Sequence, residues 1–255
     1  MMELYPLPAD WKEMKIRPYK KDLPYSYTCG VFPTIELMDH CPSAVFRVLL
    51  SEKIGKGGDL IRERASKRGI PVVVDDKTIA RLSPKENCFA IGVFTKYEQT
   101  LDARRNHIVL VNPSDMGNLG TIIRTLTAFG FQDLAMIRPC ADVFDPRVIR
   151  ASMGAAFRIR VSMYDTFDAY QKICGDRDFY PFMLNGRPME ELVFTKTDKP
   201  YSLLFGNESS GLPDHFLSLG TPVRITHENT VDSLNLTIAA GIGIHWFTHR
   251  KETEQ

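Results

Sequence analysis

The chain has 255 residues, of which 44% are hydrophobic and 25% charged, and a formal net charge of +1. Length and composition describe a globular protein able to bury a real core, in one large domain or two ordinary ones. The near-neutral balance does not advertise a polyanionic partner, and no apolar run approaches the length of a membrane span.

The charge is unevenly spread. Residues 1–106 carry 18 Lys/Arg against 14 Asp/Glu, and residues 107–255 carry 14 against 17. The basic clusters Lys12, Lys15, Arg17, Lys20, Lys21 and Arg62, Arg64, Lys67, Arg68 suit either a solvated face or a phosphate-binding surface. Five scattered cysteines, Cys29, Cys41, Cys88, Cys140 and Cys174, have no CxxC spacing. They are expected to be reduced thiols of a cytoplasmic protein rather than a zinc site. The opening MMELYPLPADWKEMK lacks the apolar stretch of a signal peptide. No set of residues has metal-ligand spacing, so no metal is expected. His245 and His249 are four apart but adjoin Trp246 and Phe247, and are expected in a core or an interface.

In chain order, residues 1–25 read as a Pro- and Lys-rich extension. Residues 26–95 read as a small α/β domain. Its expected helices lie around Ile35–Met38, over Asp59–Arg68 and over Lys77–Leu82, and its strands over Ala44–Leu50, Ile70–Val74 and Phe89–Phe94. Nothing in it has the look of an active site. Tyr25, Tyr27 and Phe32 suit core packing or base stacking equally. Residues 96–107 are polar and suit a linker.

Residues 108–255 form the second expected domain. Ile108–Val111 is a short buried strand, Asn112–Asp115 is a turn, and a helix follows with Leu119, Ile122, Ile123, Leu126 and Phe129 at helical spacing until Gly130 caps it. Strands are expected at Leu134–Ile137, Phe157–Val161, Tyr180–Leu184 and Tyr201–Phe205, with helices at Val148–Gly154 and Asp165–Cys174. Alternation of strands and helices argues a mostly parallel sheet covered on both faces. Ligands gather at the carboxyl ends of such strands. Three loops of unusual composition lie there: Asn112–Gly120, Gly206–Leu212, and Thr226–Asp232 entering a helix at Ser233-Leu234-Asn235. Asp232 or Ser233 could cap that last helix. Gly117-x-x-Gly120 is not a dinucleotide fingerprint, because Ile123 stands where a third glycine belongs. That argues against a nucleotide-cofactor oxidoreductase.

Together the three loops resemble the TrmH (SpoU) family of RNA methyltransferases, in the SPOUT superfamily. The residues are Asn118-Leu119-Gly120-Thr121-Ile122-Ile123-Arg124 with Ala128-Phe129-Gly130, then Leu204 to Leu212 (LFGNESSGL), then Asp232-Ser233-Leu234-Asn235-Leu236 with Ala239-Ala240-Gly241-Ile242. The N-terminal Cys29–Pro33 and Arg68–Val72 look like the family's L30e-like substrate-binding domain.

The resemblance implies an α/β trefoil-knot domain, a homodimer, and S-adenosylmethionine as cofactor. It implies transfer of a methyl group to a ribose 2′-hydroxyl of structured RNA, ribosomal RNA ahead of transfer RNA. A protein that kept the fold and RNA binding but lost catalysis is the other reading. Catalytic residues would be Asn118, Arg124, Glu208, Ser233 and Asn235. The cofactor would lie against Leu204, Phe205, Gly206, Asn207, Gly211, Ile225, Ser233, Leu234 and Asn235. Asn118 and Asn235 can each donate and accept hydrogen bonds to a hydroxyl, and Arg124 suits a phosphate beside the target ribose.

Overall fold

The computed structural model describes residues 2–6, 11, 14–83, 87–194, 199–228 and 230–249. The chain divides into two compact units, Met1–Gln99 with Asp142–Arg158, and Thr100–Ala141 with Ile159–Gln255.

The first unit contains strands β1 (Met2–Leu4) and β2 (Tyr25–Tyr27), helix α1 (Val31–His40), β3 (Val45–Leu50), α2 (Gly57–Lys67), β4 (Val72–Val74), α3 (Asp76–Leu82), β5 (Ala90–Thr95) and β6 (Tyr97–Gln99). Four strands make one sheet in the order β2-β5-β3-β4, antiparallel except for the β3/β4 pair. β3 and β5 are buried almost throughout, as their continuous apolar runs require. Tyr25 and Tyr27 are buried in this unit's core, whereas Phe32 is exposed. β1 pairs with β6, so the opening segment is held by a two-stranded ladder rather than by side chains alone. The stretch that composition reads as a polar linker carries β6, and Lys96, Tyr97 and Leu101 within it are buried.

The second unit begins with β7 (His107–Val111), α4 (Met116–Ala128) and β8 (Asp133–Ile137). The excursion 142–158 then returns to the first unit and carries α5 (Pro146–Ala151). Arg158 pairs there with the buried Glu36 of α1, Nε and Nη2 on one guanidinium edge donating to the two carboxylate oxygens. The second unit resumes with β9 (Arg160–Tyr164), α6 (Phe167–Cys174), β10 (Asp178–Pro188), β11 (Tyr201–Phe205), β12 (Val223–Arg224) and α7 (Leu236–His249). Its six strands run parallel in the order β12-β10-β11-β7-β8-β9. Val109, Val111, Ala135, Ile137 and Leu204 pack on one face with Tyr170 and Cys174 of α6. α7 packs against α4 and β11, and Phe247 meets Tyr201 at 5.5 Å between ring centroids. The expected α/β class with a parallel sheet is the one observed.

Several boundaries differ from the sequence-based expectation. Residues 155–158 form a 3-10 turn and β9 starts at Arg160, because Phe157 is drawn into the first unit's core, 5.3 Å from Phe94. β10 runs four residues beyond Leu184 to pair with β12. α7 starts at Leu236, after the cap expected at Asp232 or Ser233. His245 and His249 are exposed on α7, outside the core, with their rings against Phe129.

Candidate active site

β7 delivers its chain to the loop 112–115 at the carboxyl edge of the sheet, and α4 departs from it. Asp115 caps α4 by accepting the Asn118 amide at 2.7 Å. Asp115 was not among the expected site residues, and its position as a cap explains it. At the far end Gly130 adopts φ 81°, and the Phe131 amide reaches back to Leu126 O at 3.0 Å. α4 is thus fixed at both ends. Asn118 stands half-buried in its first turn, and Arg124 is exposed two turns on. The Arg124 guanidinium has no hydrogen-bond or ion-pair partner among the described residues.

β11 delivers the second loop. Asn207 and Gly211 close it through reciprocal backbone hydrogen bonds of 3.2 and 2.9 Å. Within it the Asn207 side chain accepts the amides of Ser209 and Ser210. Gly206 is required at its base. A Cβ there would lie 2.0 Å from Gly211 C and 2.2 Å from Leu212 N, contacts no backbone relaxes cheaply.

Glu208 joins this loop to the first one. Its carboxylate accepts from the Ser114 amide at 3.3 Å, the Ser114 hydroxyl at 2.9 Å and the Asp115 amide at 3.1 Å. Beside it the Asn207 amide group donates to Asn112 O at 2.8 Å, where Asn112 takes the left-handed φ of 54°. Partial burial pushes the Glu208 carboxyl up. Its own amide, the Asp115 amide, and the Ser114 hydroxyl and amide outweigh that, and the net shift is downward. Glu208 is therefore an ionised clamp between two loops, unsuited to hold a proton near neutral pH. Sequence reasoning found Glu208 but not Ser114, whose neighbours in sequence give no sign of a partner 94 residues away.

Between these loops and the approach to α7 lies a cavity of about 340 Å³. Of the expected cofactor residues, Phe205, Gly206, Asn207, Gly211, Ile225, Ser233 and Leu234 line it. Leu204 does not: it is fully buried and points into the core under α6. Asn235 does not line it either. Its side-chain oxygen accepts the Thr237 amide at 2.8 Å and the Thr237 hydroxyl, and so caps α7. Glu208 and Ser233 are the expected catalytic residues that face the cavity, whereas Asn118 and Arg124 stand on α4 outside its lining. The lining also includes Phe182 to Asn185 of β10, Asp214, Arg224 and His227, which sequence reasoning missed. The apolar run Tyr180–Leu184 announces a strand, but nothing in it marks the edge of a pocket.

The residues fit a nucleoside-type cofactor. The volume lies in the range of small-molecule pockets. Phe205, Leu212, Ile225 and Leu234 offer apolar walls, and backbone comes close at Gly206, where a Cβ has no room. Among the described residues no cluster of His, Cys, Asp or Glu could hold a metal.

Fold and site define a class: an α/β protein with a cofactor-sized cavity at the carboxyl edge of a parallel sheet, closed by a glycine loop. The family model of the SpoU rRNA Methylase family matches residues 105–245. The chain belongs to that family, whose class is the S-adenosylmethionine-dependent RNA methyltransferases. It is 26% identical over 151 residues to the 23S rRNA (guanosine(2553)-2′-O)-methyltransferase of Bacillus subtilis. That stretch is 58% of this chain and 60% of the relative's length. The crystal structure of an AdoMet-bound rRNA methyltransferase from Sinorhizobium meliloti superimposes with a TM-score of 0.73 at 25% identity, over 89% of this chain and 87% of that one. A structure described as giving insight into 2′-OH methylation of C/U34 on tRNA is 29% identical, with a TM-score of 0.51 over 58% of this chain and 97% of the other.

Proposed function

We propose that this protein transfers a methyl group from S-adenosylmethionine to a ribose 2′-hydroxyl, with ribosomal RNA as its target. The observation that carries this reading is the cavity of loop 206–212 and Ser233-Leu234, clamped by Glu208 to the loop that starts α4. Likeness over most of the chain to an rRNA methyltransferase supports the ribosomal target. The guanosine relative supports a purine nucleotide there, and the tRNA-directed structure supports position 34 of a transfer RNA as the second reading. A homodimer, a trefoil knot and a cytoplasmic location complete the proposal.

Bound in this cavity, S-adenosylmethionine supplies an electrophilic sulfonium methyl. Phe205, Ile225 and Leu234, which line the cavity, would hold it in an apolar setting that excludes water. Most of the catalysis is positioning. Asn118, with a free side-chain amide among the described residues, orients the attacking hydroxyl, and Ser233 on the cavity wall assists it. Arg124 holds the adjacent phosphate. A guanidinium stays protonated in proteins, so the 2′-proton passes to a phosphate oxygen that Arg124 holds rather than to Arg124. Asn235 acts through the helix it caps, setting where Ser233 and Leu234 stand.

Arg124→Ala is expected to lower methyl transfer by roughly 100-fold or more with the dissociation constant for S-adenosylmethionine unchanged, read by calorimetry and a labelled-methyl assay. Near-normal turnover would sink the assignment. Mapping 2′-O-methyl positions in ribosomal and transfer RNA from a deletion strain decides between the two targets.

A further inference from the structure

Two elements with different tasks meet at Ser114. Every residue from Phe205 to Leu212 lines the cavity, so the second loop forms much of its wall. The loop 112–115 opens α4, the helix of Asn118 and Arg124. Asn112 turns the chain with its left-handed φ of 54°, and Pro113 has no N–H to offer. The first amides after the turn are those of Ser114 and Asp115, and both donate to the Glu208 carboxylate, at 3.3 and 3.1 Å. The Ser114 hydroxyl adds a third hydrogen bond, 2.9 Å to Oε2. Converging donors at the start of a helix favour an anion, and hydrogen bonds to an ionised acceptor are stronger than those between neutral groups.

The contacts continue beyond Glu208. Asp115 donates to Glu208 through its N–H and accepts the Asn118 amide through its side chain, so a shift of Glu208 is passed to the first turn of α4. The Asn207 amide group, beside Glu208, donates to Asn112 O at 2.8 Å and faces the Ser114 hydroxyl at 3.5 Å. The groups that Asn112 and Asp115 present to the second loop are main-chain ones, whereas Ser114 also presents a side chain. That hydroxyl is exposed and does not line the cavity. Its removal therefore opens no void in the core and takes no contact from a bound cofactor.

We infer that Ser114 is a positioning residue that couples the cofactor cavity to α4. A molecule seated against loop 206–212 sets Glu208, and Glu208, held by the Ser114 hydroxyl, sets the turn of α4 on which Asn118 stands. The inference rests on the reading of the cavity as the S-adenosylmethionine site and of Asn118 and Arg124 as the groups that meet the ribose. Cofactor and RNA then bind cooperatively, each raising the affinity for the other by the same factor. An enzyme so built aligns its RNA-facing helix when the methyl donor is in place.

The test compares the full chain with its Ser114→Ala and Ser114→Thr variants, using S-adenosylhomocysteine as the probe in calorimetry and in hydrogen exchange read by mass spectrometry. In the unaltered chain the probe is expected to slow exchange of the amides of 206–212 and of 114–119 alike. Ser114→Ala is expected to bind the probe within about 2-fold of the unaltered affinity and to keep the protection of 206–212, while losing most of that at 114–119. In a labelled-methyl assay on total RNA from a deletion strain, the same variant is expected to lose roughly 10-fold in kcat with little change in KM for S-adenosylmethionine. Ser114→Thr keeps the hydroxyl and is expected to restore both. Retained kcat and protection of 114–119 in Ser114→Ala would overturn the coupling, as would weakened binding of the probe itself or no rescue by threonine. In the unaltered chain, binding with protection confined to 206–212 overturns the coupling alone, whereas no binding of the probe overturns the reading of the cavity and the coupling with it.

Discussion

His107 opens β7 with its ring fully buried. Nε2 lies 2.9 Å from Asp102 O and Nδ1 lies 2.9 Å from the Tyr170 hydroxyl. A carbonyl only accepts, so Nε2 carries the proton and Nδ1 accepts from Tyr170. The Tyr170 oxygen in turn meets Ser202 at 2.7 Å and the buried Arg177 at 3.2 Å. Burial above all, and then the Arg177 charge, press the His107 pKa from 6.5 down to about 4. The unfolded chain therefore binds more protons than the folded one between those values. Its contribution, of order 3 kcal/mol, is complete above pH 6.5 and is lost as pH falls toward 4. Urea denaturation at pH 7, 5.5 and 4 checks this, and the fall is expected to be shallower in His107→Gln. A second buried group, Lys96, donates to Asp142 at 2.9 Å and to Lys21 O at 2.8 Å, with side-chain exposures of 4% for Lys96 and 10% for Asp142. Lys96→Met leaves that carboxylate without its charge partner. It is expected to cost about 3–5 kcal/mol in chemical denaturation of the full chain, while Lys96→Arg costs less.

At the scale of elements, the strand β7, the loop 112–115 and helix α4 were legible because each signal is local. The apolar run, the turn residues and the 3.6-residue spacing all sit within one short segment, and Gly130 ends it for a backbone reason. Glu208 was legible as a residue but not as a clamp, since its partners are the amides of a loop far away in sequence. Asn235 was read as a group for substrate or cofactor because an amide is unusual in an apolar helix start. The structure spends its oxygen on the α7 cap, which composition cannot distinguish from a ligand contact. The loop 206–212 provides the sharpest test at this scale. Gly206→Ala forces a Cβ into the Gly211 and Leu212 backbone. Cofactor affinity is expected to fall at least about 30-fold by calorimetry, with the far-ultraviolet circular dichroism of the sheet retained. A variant that binds with unchanged affinity would show that the loop does not hold the cofactor.

At the scale of the whole molecule, the proposed homodimer predicts twice the 29.0 kDa chain mass in light scattering after size exclusion, at micromolar concentration. A monomer that methylates RNA at full rate would remove the dimer from the proposal. The return of residues 142–158 to the first unit has no sequence signal, because Asp142, Phe144 and Phe157 are ordinary residues until their partners are known. Those partners are Lys96, Tyr97 and Phe94, 46 to 63 positions away. Alternation of apolar runs with turn residues was enough to read an α/β chain with a parallel sheet, since hydrophobic periodicity is local and survives without knowledge of the partner. Three motifs in order were enough to point to the family. The cavity and its β10 wall, the Glu208 clamp and the buried His107 needed the folded chain. Each depends on groups far apart in sequence meeting within about 3–4 Å, and pairing at that range is set by packing rather than by local propensity.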